Sequence, residues 1–167
     1  MAATTWMQDV EAAIVKTYKE DADLASLIIV TGKIEAGLVD PLASLMLAAP
    51  DFPYVSVVAM GYGPDLHRQT GCMTVDVEIR VLVADKGTPE LEVKTRVQQI
   101  LAQLLVTTDH ERATDLFALS NSTATIQDIK LSGGGGLTAA GQPEGMSWFQ
   151  VEGQFTFTVE VQIIRAA

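Results

Sequence analysis

The sequence specifies an α+β protein: a mostly antiparallel, twisted sheet with long C-terminal strands and helices packed on one of its faces. Three patterns lead there. From Phe149 to Ile163 the odd positions read Phe, Val, Gly, Phe, Phe, Val, Val, Ile, and the even ones Gln, Glu, Gln, Thr, Thr, Glu, Gln. That period of two is the signature of a strand with one buried face. Met73, Val75, Val77, Ile79, Val81 and Val83 repeat it, alternating with Thr74, Asp76, Glu78, Arg80 and Leu82. Such alternation suits an antiparallel sheet with one face solvated. Finally, the helical segments are segregated from the strand runs, which favours α+β over a parallel α/β sheet.

In chain order, Thr5 and Gln8 stand at capping-box spacing and open a first helix, whose apolar stripe is Met7, Val10, Ile14 and Tyr18. Asp21 in "EDAD" is the expected N-cap of a short second helix carrying Leu24, Leu27 and Ile28, which Gly32 ends. "GKIEAGL" is a short candidate strand. The stretch bounded by Pro41, Pro50 and Pro53 leaves Leu42–Ala48 room for about two helical turns. "YVSVVAM", 54–60, is apolar at both parities and reads as an inner strand buried on both faces. "GYGPDLHRQTG", 61–71, is rich in turn residues and is expected as a loop.

The clearest helix follows the 72–85 strand. Thr88 is its expected N-cap, Pro89 its first residue, and Glu90 and Glu92 complement its dipole. Val93, Val97, Ile100, Leu101, Leu104 and Leu105 form its buried face. A looser stretch runs to Ser122. "TATIQDIKLS" is then a strand whose phase breaks at Gln127–Asp128, as a bulge would break it. "GGGGLTAAGQPEG" reads as a flexible connector into the last strand. With no internal repeat or linker, residues 1–167 are expected to form one domain, with an insert at 37–53 and a long hairpin loop at 132–147.

The chain has 167 residues, 48% hydrophobic and 19% charged, which fits a folded globule. Its most apolar run, Leu24 to Val30, is far shorter than the ~20 residues of a membrane span. The first basic residue is Lys16 and no apolar run precedes it, so a secretory signal is not expected. One cysteine, Cys72, excludes an internal disulfide and fits a reducing compartment. Net charge is −10, and the eleven Lys and Arg residues are scattered. A nucleic-acid binder shows a basic stripe that displaces counterions; here an acidic surface would repel a polyanion passing by.

No catalytic, metal or cofactor residues are assigned. His67 and His110 lack further ligands at motif spacing for a zinc site. Asp65, His67 and Cys72 are the raw materials of a Cys/His nucleophile but fall in a turn-like segment without a pocket. "SGGGG", 132–136, lacks the Lys-Ser/Thr of a phosphate loop and opens no helix. Its reading is slack, or a docking loop at Gly133, Gly134, Gly135, Gly136 and Leu137. Gln150, Glu152, Gln154, Thr156, Thr158 and Glu160 form the polar side of the last strand, a solvated or lumen-facing surface.

Fifteen extended residues at ~3.3 Å each span about 50 Å, against about 40 Å for the diameter of a compact chain of this length. Either Gly153 bends the strand, or the ribbon projects or pairs beyond its own subunit. An open edge of that length is an aggregation hazard that natural proteins cover or pair. Head-to-tail pairing that closes on itself makes a ring, and an acidic bore would let DNA slide through.

The layout is similar to the tail terminator and tail-completion proteins of long-tailed bacteriophages. "DFPYVSVVAMG" as a Pro-aromatic entry into a strand carries the resemblance, followed by "MTVDVEIRVLV", the helix "TPELEVKTRVQQILAQLL", a strand, a loop and the C-terminal alternating strand. It covers residues 7 to 165. The resemblance implies a non-enzymatic virion protein, assembled in the host cytoplasm, that forms a homo-oligomeric ring, commonly a hexamer, at the head-proximal end of the tail. Such a ring stops tail-tube polymerisation and joins the neck or head connector. Its partners are further copies of itself, the tail tube protein and the neck connector; DNA passes without specific binding, and no membrane or cofactor is involved. The alternatives are a head-completion adaptor or tube subunit, and, in a different class, a small α+β enzyme or ligand-binding module with His67 or Cys72 at its mouth.

Overall fold

A computed structural model describes residues 6–28, 33–37, 52–62, 67–69, 72–119, 124–132, 137–141, 145 and 147–164. The elements run α1 (Trp6–Glu20), α2 (Ala22–Ile28), β1 (Lys33–Ala36), β2 (Tyr54–Tyr62), β3 (His67–Gln69), β4 (Cys72–Gly87), α3 (Glu90–Ala113), β5 (Ala124–Ser132), β6 (Leu137–Gly141) and β7 (Phe149–Ile164). They make one mixed, mostly antiparallel sheet in the order β1-β2-β4-β7-β5, with β3 added on β4 and β6 on β7. Only the β1–β2 pair is parallel.

The two alternating segments form the two longest strands, sixteen residues each, and they pair with each other from Cys72↔Ile164 to Gly87↔Phe149 without a register shift. This overturns the expectation that the last strand is left unpaired and completed by a neighbour. β7 is central. β4 covers one of its edges, while β5 and β6 cover the other. The ladder also runs straight through Val83↔Gly153, so Gly153 introduces no break in register.

The flanks explain how so long a ribbon is covered. β2 and β3 lie along the same edge of β4, and between Tyr62↔Val77 and His67↔Thr74 the flank has four residues where β4 has two. β5 and β6 lie along β7 in the same way, with four residues between Ser132↔Thr156 and Leu137↔Gly153 where β7 has two. Hence His67–Gln69 and Leu137–Gly141 are strands, not the loop and connector their turn-rich composition suggested. A short polar segment becomes a strand when a long neighbour offers its backbone donors and acceptors. The expected bulge is present between Ile126 and Asp128, and another lies in β2 between Ala59 and Gly61. β2 is buried on both faces only over its first half, and ends with Met60 and Tyr62 exposed.

The odd-numbered face of β4 and β7 carries Val75, Val77, Ile79, Val81, Phe155, Phe157, Val159 and Val161, all buried; α3 packs over these strands and α1 over the neighbouring β1 and β2, in one continuous core. From α1 come Val10, Ile14 and Tyr18, and from α3 Val93, Val97, Ile100 and Leu104, following the helical spacing of the sequence. Leu105, expected inside, is 38% exposed. α3 begins one residue later than expected, with Pro89 rather than Thr88 as its cap and no side-chain cap bond.

Past Leu104 the buried face of α3 turns polar. Thr108 sits against the Tyr18 hydroxyl at 2.7 Å, and Thr107 donates to Asp21. Glu111 accepts from the Phe117 N–H at 3.0 Å through its carboxylate and from the Leu116 N–H at 2.8 Å through its carbonyl. Those bonds fix two consecutive left-handed residues, Leu116 (φ 53°) and Phe117 (φ 52°), a conformation that costs a non-glycine residue about 1 kcal/mol or more. The offset is burial. Phe117 is fully enclosed, edge-on to Tyr18 at 6.0 Å and stacked on Phe157 at 5.9 Å. The expected turns over Leu42–Ala48 and the Thr5 cap lie outside the described residues.

Asp21 is the N-cap of α2, as expected, accepting from the Leu24 N–H at 2.9 Å. It also takes the Gln103 amide at 3.1 Å and the Thr107 hydroxyl, tying the α1–α2 corner to α3. Burial raises its pKa, but the bonds from Thr107, the Leu24 N–H, Gln103 and the Asp23 N–H outweigh that and hold it below its ordinary value. Asp21→Ala is expected to lower stability by about 2 kcal/mol at neutral pH. Because the folded pKa is depressed, this contribution is full above the ordinary carboxylate value and fades as pH falls through the folded one. Urea unfolding of the two proteins should therefore converge in acid; a gap that stays constant with pH would refute the ionised cap.

Candidate functional site: the polar face of the sheet

Among the described residues the helices pack on the odd-numbered face; the even-numbered face is polar along Asp76–Arg80 and Glu152–Glu160, while Leu82, Ala84 and Gln150 at its other end are buried. Register sets its rows. Asp76, Glu160 and Asp128 stand side by side across β4, β7 and β5, and the next row is Glu78, Thr158 and Lys130. Arg80, Thr156 and Ser132 follow. Of the six residues expected on this surface of β7, Glu152, Gln154, Thr156, Thr158 and Glu160 are half-buried among one another. Gln150 lies on the same side and donates from Nε2 to Glu152 Oε1 at 2.9 Å, but it is covered, with 1% exposure. The expected docking residues Gly133, Gly134, Gly135 and Gly136 lie outside the described residues, while Leu137 opens β6 opposite Gly153.

Three carboxylates in one cross-strand row repel one another. Lys130, one row along, answers them: its Nζ lies 3.6 Å from Glu160 and 4.0 Å from Asp76. Arg80 donates from Nε to Gln154 Oε1 at 2.7 Å. Asp76, Glu78, Asp128, Glu152 and Glu160 share this side of β4, β7 and β5 with Arg80, Lys130 and, at its far end, Lys86, so carboxylates prevail. Alternation is visible in the sequence and register is not, so neither Arg80 nor Lys130 could be placed from it.

Two grooves adjoin the sheet and the helices. One, of about 370 Å³, is lined by Met60, Gly61, Tyr62, Asp76, Glu78 and Thr158. The other, of about 340 Å³, lies where α1 meets the end of α3 and includes Glu20, Asp21, His110 and Glu111. In the second, Asp21 and Glu111 are already committed to capping the α2 and Phe117 backbones. His67 pairs with Thr74, and Cys72 with Gln69 in the same short ladder. The Cys72 sulfur accepts from Gln162 Nε2 at 3.6 Å, a contact between the neighbouring strands β4 and β7. Asp65 lies outside the described residues. Among the described residues no group of three or more His, Cys, Asp or Glu is placed to hold a metal ion, and no helix is long and apolar enough to cross a membrane.

Replacing Lys130 with Met should cost up to about 1 kcal/mol, the range of a cross-strand charge pair that is half exposed. The loss should shrink in ~1 M salt, where screening acts within about 3 Å. Thermal unfolding in low and high salt reads this directly; an equal loss in both would mean that the Lys130 stem packs, rather than that its charge matters.

No family model matches the sequence, and no curated protein matches it. Among solved structures, a chain in the virion of a native gene transfer agent particle superposes with a TM-score of 0.51 at 17% identity, over 96% of this chain and 99% of that one. The bacteriophage SPP1 gp17 protein aligns over 99% of this chain and 97% of its own, at 14% identity and a TM-score of 0.34, too loose a match to support any argument. At 17% identity the first likeness establishes a shared fold along nearly the whole chain.

Proposed function

We propose that this chain is a structural virion protein that forms a ring at the head-proximal end of a bacteriophage tail, where it ends tube polymerisation and joins the tail to the neck. The observation that carries this is the near end-to-end fold shared with a component of a virion particle. It supports the reading because the likeness runs along nearly the whole of both chains. The polar face of the sheet supports the ring form. Along Asp76–Arg80 and Glu152–Glu160 none of the described helices packs on it, and its carboxylates outnumber its cations. Turned toward a bore, Glu152, Gln154, Thr156, Thr158 and Glu160 would present DNA with a surface that repels phosphates and lets it pass. α3 on the opposite face would then form the outside of the ring.

The glycine segment at 133–136 leaves the β5–β6 flank where four residues face two of β7. In this reading Gly133 to Leu137 contact the next ring along the axis. Deleting Gly134 and Gly135, which leaves two residues to span the two of β7, should leave the melting temperature within a few degrees of the parent and lower the yield of joined heads and tails. Normal particle yield with that deletion would remove the loop from the joining surface.

The ring itself is tested by light scattering and negative-stain imaging of the purified chain, alone and with tail tubes. A closed particle of fixed size, or a cap on tube ends, is expected. A monomer in both settings would refute the proposal.

A further inference from the structure

We propose that copies of this chain join edge to edge, with β5 of one copy pairing antiparallel to the β2–β3 edge of the next. This rests on the ring reading and moves the joining strands away from β7, which is internal.

Two edges remain in the half of the sheet that holds Cys72 to Arg80. β1 covers β2 only as far as Val57, and Gly37 donates to the Val57 carbonyl at 3.0 Å. Glu11 of α1 takes the Ala59 N–H at 2.7 Å. Beyond that point, among the described residues, no strand pairs with the outer edge of 60–62 or of β3, and none with the outer edge of β5. Backbone groups on such edges are templates for another strand.

The two edges match in position and direction. Through β4 and β7, Gly61 shares a row with Lys130, Tyr62 with Ile129, and His67 with Thr125. Three successive antiparallel pairings make β2 and β5 run in opposite directions. A second copy placed alongside therefore continues the antiparallel order with the same rows facing.

They also match in chemistry on both faces. On the helix side, Tyr62 is 66% and Leu131 40% exposed, and the junction makes them diagonal neighbours, about 7–8 Å apart at the backbone. On the polar side, Lys130 meets Gly61 of the next copy, where no atom lies within 4 Å of the missing side chain. The groove there is lined by Asp76 and Glu78, so an incoming ammonium finds two carboxylates and no obstruction. The bulges in β2 and β5 bend both edges, which turns a junction away from a flat, open-ended array.

The test uses the full chain with Cys72→Ser, carrying Tyr62→Cys in one preparation and Leu131→Cys in another, each checked for the parent's circular dichroism and melting. Under assembling conditions a short bismaleimide should link the mixed chains into heterodimers. A chain carrying both cysteines should give a ladder that stops at the size of the closed particle. Should a variant fail to fold, zero-length carbodiimide coupling of the unmodified chain, with isotopically mixed copies, should yield an intermolecular Lys130–Glu78 peptide. Closed particles without the Tyr62–Leu131 or Lys130–Glu78 link would overturn the junction and leave the ring standing. Absence of any assembly, alone or on tubes, would overturn both.

Discussion

Backbone pairing between β4 and β7 runs unbroken from Cys72↔Ile164 to Gly87↔Phe149, and the placement of nearly every other element follows from it. At ~3.3 Å per residue this ribbon is about 50 Å long, and every row fixes which side chains go to which face. The valines and phenylalanines of the ribbon meet the helices, and its carboxylates, the buried Asp85 apart, lie on the other side. Each flanking strand then reads its register from the ribbon. A slip of one residue anywhere in this ladder would carry charged groups into the core, so the alternation itself enforces the pairing.

The helices are fixed to that ribbon by a few polar anchors as well as by apolar contact. The buried Asp85 at the end of β4 accepts from Arg96 of α3 at 2.7 Å. Asp21 and Glu111 hold the opposite end, one by capping α2 and gripping α3, the other by closing the turn that sends Phe117 inward. Removing one partner of such a pair leaves a charge with its desolvation unanswered, which makes these corners more sensitive than their small number suggests.

Long periodic segments were legible in the sequence because periodicity is a property of the segment itself. β4, β7, α1 and α3 announce themselves, and so do the Asp21 cap and the bulge at Gln127. β3 and β6 do not, since three to five residues of weak strand preference, His-Arg-Gln or Leu-Thr-Ala-Ala-Gly, become strand only when a neighbour templates them. The turn at Leu116–Phe117 was hidden for a related reason: its left-handed residues are held by Glu111 and by a pocket made of Tyr18 and Phe157, which lie far away in the chain. For the candidate surface, alternation named the β7 residues, yet Lys130 and Arg80 depend on register and emerged only with the fold. The error about β7 was of the same kind. Length was read correctly, while the identity of the neighbour, an equally long β4, could not be inferred from length.

The paired interruptions of the two flanks have one more implication. Each places four residues where the ribbon has two, and the pairing resumes in phase beyond it, at Leu137↔Gly153 as at His67↔Thr74. The ladder on either side sets that phase: at Met60 and at Gln127 a single surplus residue is absorbed as a bulge, and the faces beyond it stay where they were. Insertions at these two joints should therefore be tolerated at odd and even lengths alike, because backbone pairing on the ribbon, and not the number of connecting residues, decides which side chains turn inward.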